Sequence, residues 1–458
     1  MRTRWTICTV FATAAAISSA QQTSPIQPKT VDAPKLPTIE LTRPPSSVQI
    51  IANSPLTAAE AVRIALAHQP SLTIAKSSIE AAHGQTLQAK AGLNPTVNLT
   101  GSGTRSQILN NTTGASGAGG TVFDGLAGEV AMNQLIFDFN RTRDEVRQAS
   151  ALERSARRSY DQSVQDVILL VKQNYYAYVQ AKQQVAVDIA NLTSRQAQVD
   201  LTQAQLNAGL GAPADLVSAK TVYSQASLQL IQANQNVITA STTLANSMGI
   251  DPRTPIVLAD SVEPTVGDED PNALVDIALK SRPEILAAQE SFRAAGFGVS
   301  VARKTDAPSL SFGAGVSARG NDNPFDTETG FISLTFNWSL VDGGVKLGRV
   351  RTAEAQKKAA EAQLTQISLG VVADVARAFT NVKSINQQIA TAASEVANAQ
   401  EGVRLAEGRY KSGVATFQEV ITAQANLVTA ETDVVTEKAD LAIAKATLDH
   451  AIGRTSDR

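Results

Sequence analysis

The chain has 458 residues, enough to bury a large core, yet only 4% are aromatic and Ala is its commonest apolar residue. Small side chains suit closely packed helices better than a globular interior. A formal charge of −2, with no long run of either sign, argues against nucleic acid as a partner.

In chain order, residues 1–20 read as a cleaved secretory signal peptide: Arg2 and Arg4 precede an apolar run from Trp5 to Ile17, and Ser18 and Ala20 supply small cleavage-site residues. That run is short of the ~20 apolar residues of a spanning helix. Cys8 is the only cysteine and follows Ile7 rather than a small residue, which predicts no lipid anchor and no disulfide in the exported chain. Residues 21–55 hold seven prolines, Pro25, Pro28, Pro34, Pro37, Pro44, Pro45 and Pro55, and read as an extended arm.

From residue 56 the chain is two copies of one unit. "ALAHQP" at 65–70 matches "ALKSRP" at 278–283, Asp138 matches Asp342, Gly209 matches Gly413, and Gly249 matches Gly453. The first copy carries extra residues in "RSQILNNTTGASGAGGTVFDG", a composition that tolerates insertion. The first repeat, 56–249, reads as a helix opening on the capping box Thr57/Glu60, a hairpin near 95–139, a long helix near 142–208 and a return helix near 213–248. A Pro- and Asp-rich connector covers 250–270. The second repeat, 271–453, gives a helix, a hairpin near 308–342, a long helix near 344–412 and a return helix near 416–452, with a tail at 454–458.

The long helices carry an apolar stripe stepping four, then three. It passes through Val164, Ile168, Val171, Tyr175, Tyr178, Lys182, Val185, Ile189, Leu192, Gln196, Val199, Gln203 and Leu206 in one copy, and through Val372, Val375, Phe379, Val382, Asn386, Ile389, Ala393 and on to Tyr410 in the other. A sustained 3.5-residue period predicts a coiled-coil seam. In the hairpins the period changes to two. "FISLTFNWSLVD" alternates Ile332, Leu334, Phe336, Trp338 and Leu340 with Ser333, Thr335, Asn337 and Ser339. The other strands alternate likewise, each near the length that crosses a bilayer when tilted. The polar face carries almost no charge, as a lumen wall permits, and Phe331, Phe336 and Trp338 are candidate membrane-interface aromatics.

Four strands cannot enclose a lumen, and open edges in lipid leave backbone groups unpaired at several kcal/mol each. Several chains must then share one barrel; three give ~12 strands, although two or four also give even totals. No segment after the signal offers a long enough apolar run for a spanning helix, so the exported chain is either soluble or barrel-forming. His68, His83 and His450 are far apart, and no metal-ligand spacing, nucleotide loop or nucleophile motif is present. No cofactor, no metal and no catalytic activity are expected.

With "LTAAEAVRIALAHQPSL", the doubled helix–strand–strand–helix order, and the breaks "NAGLGAPADLV" and "YKSGVATFQEV", the chain resembles the TolC family of outer-membrane efflux proteins over nearly its whole length after the arm. The resemblance implies a mainly α fold with a small β part: a homotrimer whose coiled-coil tunnel continues into a shared transmembrane barrel of about 12 strands. It also implies outer-membrane lipid around the barrel, a periplasmic adaptor and an inner-membrane pump. By motif match, Gly209, Leu210, Gly413 and Val414 would be the adaptor-docking tips, and Asp215, Glu419 and Tyr410 the periplasmic constriction. Asp215 and Glu419 read equally as acids at helix N-termini, and Tyr410 as seam core. Ala415 and Thr422 depart from the family's basic and second acidic gate residues. A soluble periplasmic coiled-coil scaffold or adaptor is the competing assignment.

Overall fold

A computed structural model describes residues 55–107, 122–259, 270–321 and 327–454. The signal peptide, all but the last residue of the Pro-rich arm, most of the Gly/Ser-rich insertion and residues 260–269 of the connector fall outside the described residues. Chain order is α1 (Ala58–His68), α2 (Pro70–Ala91), β1 (Thr96–Gln107), β2 (Val122–Phe137), α3 (Arg141–Asn207) and α4 (Pro213–Ser247) in the first repeat. The second has α5 (Pro271–Ser281), α6 (Pro283–Arg303), β3 (Ser309–Asn321), β4 (Thr327–Asn337), α7 (Val345–Lys411) and α8 (Phe417–Ala451).

Each repeat's opening helix, read from sequence as one element, is two. Gln69 and Arg282 leave helical geometry with ψ of 119° and 126°, because each precedes a proline, whose ring excludes the α region for the residue before it. Pro70 and Pro283 then start the next helix at its first position.

The two long helices have 67 residues each, ~100 Å at 1.5 Å per residue. Each begins at a cap made by matching aspartates. Asp138 accepts from the Thr142 amide at 2.7 Å, and Asp342 from the Lys346 amide at 2.6 Å. The preceding turns use left-handed backbone at Phe139 and Asn140 in one copy and at Gly343 and Gly344 in the other. The carboxylates satisfy amides that the helix itself leaves open.

Apolar cores sit where the short helices meet the long ones. In the first, Val62, Ala65, Val167, Val171, Leu244 and Met248 are buried together; in the second, Leu274, Ala278, Val371, Val375 and Ile452 hold corresponding places. Tyr175 and Tyr178 donate to the carbonyls of Leu56 and Ile256 at 3.1 and 2.9 Å, which ties the start of the described chain and the connector to the first core.

The seam differs in phase from the sequence expectation. Beyond Tyr178 the buried residues of α3 are Asp188, Asn191, Arg195, Gln198 and Thr202, each one position before the predicted Ile189, Leu192, Gln196, Val199 and Gln203. In α7, Val375 and Val382 hold, but Ala378, Ile385 and Ala392 are buried instead of Phe379, Asn386 and Ala393. The reason is the partner. Toward the far end α3 faces α8 through amides and hydroxyls, with Gln180 and Gln184 donating to Thr436 and Thr432 at 3.2 Å each, and Arg195 to Gln424 at 2.6 Å. In the apolar line beside it, Ile189 is 51% exposed while Leu192 and Val199 are only half-buried within one chain.

The four strands form one antiparallel sheet in the order β1-β2-β3-β4, with the two repeats joined by the β2–β3 pairing. β1 and β4 are its two edges.

Candidate functional site

Two places hold the sequence-predicted residues: the helix turns at the far end of α3 and α7, and the sheet. At the turns, α3 and α7 end in the same device. Gly209 and Gly413 have φ of +73° and +75°, a region only glycine enters without strain. Gly209 N–H reaches the Leu206 carbonyl at 3.0 Å and Leu210 N–H that of Gln205 at 2.9 Å; Gly413 reaches Tyr410 at 3.0 Å and Val414 reaches Arg409 at 2.9 Å. These paired bonds make a Schellman end, which closes the carbonyls a helix leaves open. A Cβ on either glycine would meet nothing within 4 Å, so backbone conformation alone demands glycine. The residues after them, Leu210 and Val414, project outward, 85% and 71% exposed.

The return helices then start on acids. Asp215, in the first turn of α4, accepts from the Tyr410 hydroxyl at 3.2 Å, and that hydroxyl lies 3.1 Å from Gln205 Oε1. Tyr410 on α7 is thereby linked to both α3 and α4. Its ring packs on buried Phe417 with centroids 5.6 Å apart. Burial raises the phenol's pKa, and the Asp215 carboxylate raises it further. Glu419 does not join this link. It accepts from the Thr416 amide at 3.4 Å, at the third position of α8, and lies 3.2 Å from Arg409.

Farther along the seam, Arg195 is 5% exposed and among the described residues bonds only neutral oxygens, Asn191 Oδ1 at 3.1 Å and Gln424 Oε1. Desolvation lowers its pKa. Gln424 passes the contact on to Glu407 at 3.3 Å. The α3–α8 contact here is therefore polar, unlike the apolar cores above it.

In the sheet, ladder register assigns each side chain to a face. Val97, Met132, Ala314 and Ile332 share one rung, and Leu99, Val130 and Val316 share the next. Leu99 is 80% exposed and Ile332 81%, so this apolar face is bare. Phe336 belongs to it, and Trp338, just past the strand, is exposed. Phe331 does not. It alternates with Ile332 and sits across from Gly315 on the face of Ser333 and Asn133. The period of two sends it there, whatever its hydrophobicity.

Among the described residues no helix is long and apolar enough to cross a membrane, and no group of three or more His, Cys, Asp or Glu could hold a metal ion.

The arrangement is that of solved outer membrane channels. The outer membrane protein VceC of Vibrio cholerae superposes with a TM-score of 0.74 at 22% identity, over 87% of this chain and 96% of that one. The CmeC outer membrane channel of Campylobacter jejuni gives 0.76 at 18%, over 88% and 89%. In sequence, protein CyaE of Bordetella pertussis is 28% identical over 374 residues, 80% of this chain and 77% of that protein. The family model for outer membrane efflux proteins matches residues 61–250 and 274–454. The chain belongs to the outer membrane efflux protein family, a family of channels rather than enzymes, and its place is the outer membrane.

Sequence reasoning singled out Tyr410 and Asp215, whose side chains meet, and did not name Gln205 or Arg409 beside them. Arg409 places a cation beside Glu419, where Ala415 supplies none. The Thr416-x-x-Glu419 spacing, a helix-start signal, was the legible clue to Glu419's bond.

Tyr410→Phe should lower stability by about 1 kcal/mol at neutral pH, through loss of its hydroxyl bonds. Because the folded phenol has the higher pKa, wild type keeps this increment below pH ~10 and loses it as pH rises through the folded value. Thermal unfolding of both proteins across pH 7–11 checks this; a constant difference would contradict the link.

Proposed function

We propose that the protein is the outer-membrane exit duct of a tripartite efflux or type I secretion system. Three copies share one barrel, and substrates pass without any reaction on this chain. The observation that carries this is the sheet: four strands, an uncovered apolar face and two open edges. A soluble scaffold would leave Leu99, Ile332 and Leu334 in water, and their exposure of 66% or more in one chain is a strong mark of a lipid or partner surface.

The tips are the docking and gating end. Leu210 and Val414, raised on Gly209 and Gly413, offer paired apolar points for a periplasmic adaptor. Tyr410, bonded to Asp215 and Gln205, latches the α7/α8 hairpin to the α3/α4 hairpin and holds the tip closed. Repeated around a threefold axis, Asp215 and Glu419 would give an acidic constriction that attracts cations, its charge tempered at rest by Arg409. The α3–α8 seam above the latch is polar, so the hairpins separate there at lower cost than across the apolar cores. Energy and substrate choice belong to an inner-membrane pump. Among the relatives, two are named for pyoverdine export and others for efflux more generally, so the cargo varies on one kind of duct.

On expression with its leader, the protein should fractionate with outer membranes as a heat-modifiable trimer; recovery as a soluble monomer would eliminate the duct. In planar bilayers, Tyr410→Phe should raise single-channel conductance several-fold by loosening the latch. Unchanged conductance would remove Tyr410 from gating.

A further inference from the structure

Phe331 is a large aromatic side chain on the otherwise mainly polar face of the sheet. Most of that face is Ser, Thr, Asn, Gly and Ala, with Leu135 near its helix end, and Phe331 lies on it half-buried. A Cβ on Gly315 would fall 2.8 Å from the Phe331 ring, so the ring is laid over that glycine and presents its other side to the space the face encloses. One rung farther from the helices, Glu129 pairs with Ser317 on the same face. Glu129 is a half-buried residue whose side chain has neither a hydrogen bond nor an ion pair among the described residues. The next rung carries Arg319, exposed and also without a partner among them.

A carboxylate with no ion pair draws cations, and an aromatic face adds attraction for a cation or for an apolar body. Phe331 and Glu129 stand two strand spacings and one two-residue step apart, about 12 Å between Cα atoms. A small molecule with a ring at one end and a positive head at the other spans the gap between their side chains. Arg319 repels that head on the far side, so the attraction ends there.

We propose that Phe331 and Glu129 form a binding station on the lumen wall for organic cations with an apolar or aromatic body. This rests on the duct proposed above, in which the polar face lines the lumen. Passing cations of this class dwell at the station, while inorganic ions and uncharged solutes do not.

The test uses the full-length protein in planar bilayers, with benzyltriethylammonium added on the side of the strand loops and tetramethylammonium as the comparison. The benzyl compound should block current more strongly than tetramethylammonium. Phe331→Leu, which keeps apolar bulk over Gly315, and Glu129→Gln should each weaken the benzyl block roughly three- to tenfold. Arg319→Gln should strengthen it, and Phe336→Leu on the opposite face should leave it unchanged. Channels whose benzyl block is the same in wild type, Phe331→Leu and Glu129→Gln would overturn the station and reduce Phe331 to a cover for Gly315. Failure of the wild-type protein to form channels would instead overturn the duct beneath it.

Discussion

Two unpaired strand edges govern this molecule. Within one chain, β1 and β4 each offer a row of backbone N–H and C=O groups with no strand beside it among the described residues. Water satisfies such an edge, whereas hydrocarbon leaves every group unpaired at a cost of several kcal/mol. The apolar face of the same sheet favours lipid. The two demands are compatible only if another strand covers each edge, and copies of the same chain are the simplest source. The duplicated repeat supplies the material: each copy contributes one hairpin, and the β2–β3 pairing fuses the hairpins into a single four-stranded plate.

The helices extend the same logic away from the membrane. In each repeat the second strand, β2 or β4, leads into a long helix through a capped turn, so the position of the sheet sets that of the coiled coil. Stability is uneven along it. Where the short helices meet the long ones, Val171, Val375 and their neighbours are fully buried, and separating them would expose apolar area at about 25 cal/mol per Å². Toward the tips the contacts become Arg195 with Gln424, Gln184 with Thr432, and Tyr410 with Asp215. Water can replace such bonds, so each contributes little net free energy. The contrast between an apolar collar and a more polar seam toward the tips is set by where polar and apolar residues fall on one helix.

Much of this was legible in the sequence, because glycine, proline and period report backbone geometry directly. Gly209 and Gly413 were identifiable as helix ends since few other residues take positive φ cheaply. The duplicated order also carried the family. The seam phase was not legible. A stripe chosen by hydrophobicity follows Ile189, Leu192 and Val199, whereas the chain buries the polar line beside them, where hydrogen bonds across to α8 decide the packing. Gln205 and Arg409 were missed for a related reason: their partners come from other helices, and one sequence holds no record of which side chains meet across a seam. Phe331 fell on the polar face because the strand's period, rather than the residue's own preference, sets its direction.

The most direct test of the central claim is disulfide scanning between the two edges, with cysteines placed along β1 (Thr96–Gln107) and β4 (Thr327–Asn337) in the membrane-inserted protein. Cross-links should join β1 of one chain to β4 of another and give a ladder that stops at three chains. A β1–β4 disulfide within a single, isolated chain would mean that the sheet closes on itself, and would contradict the account.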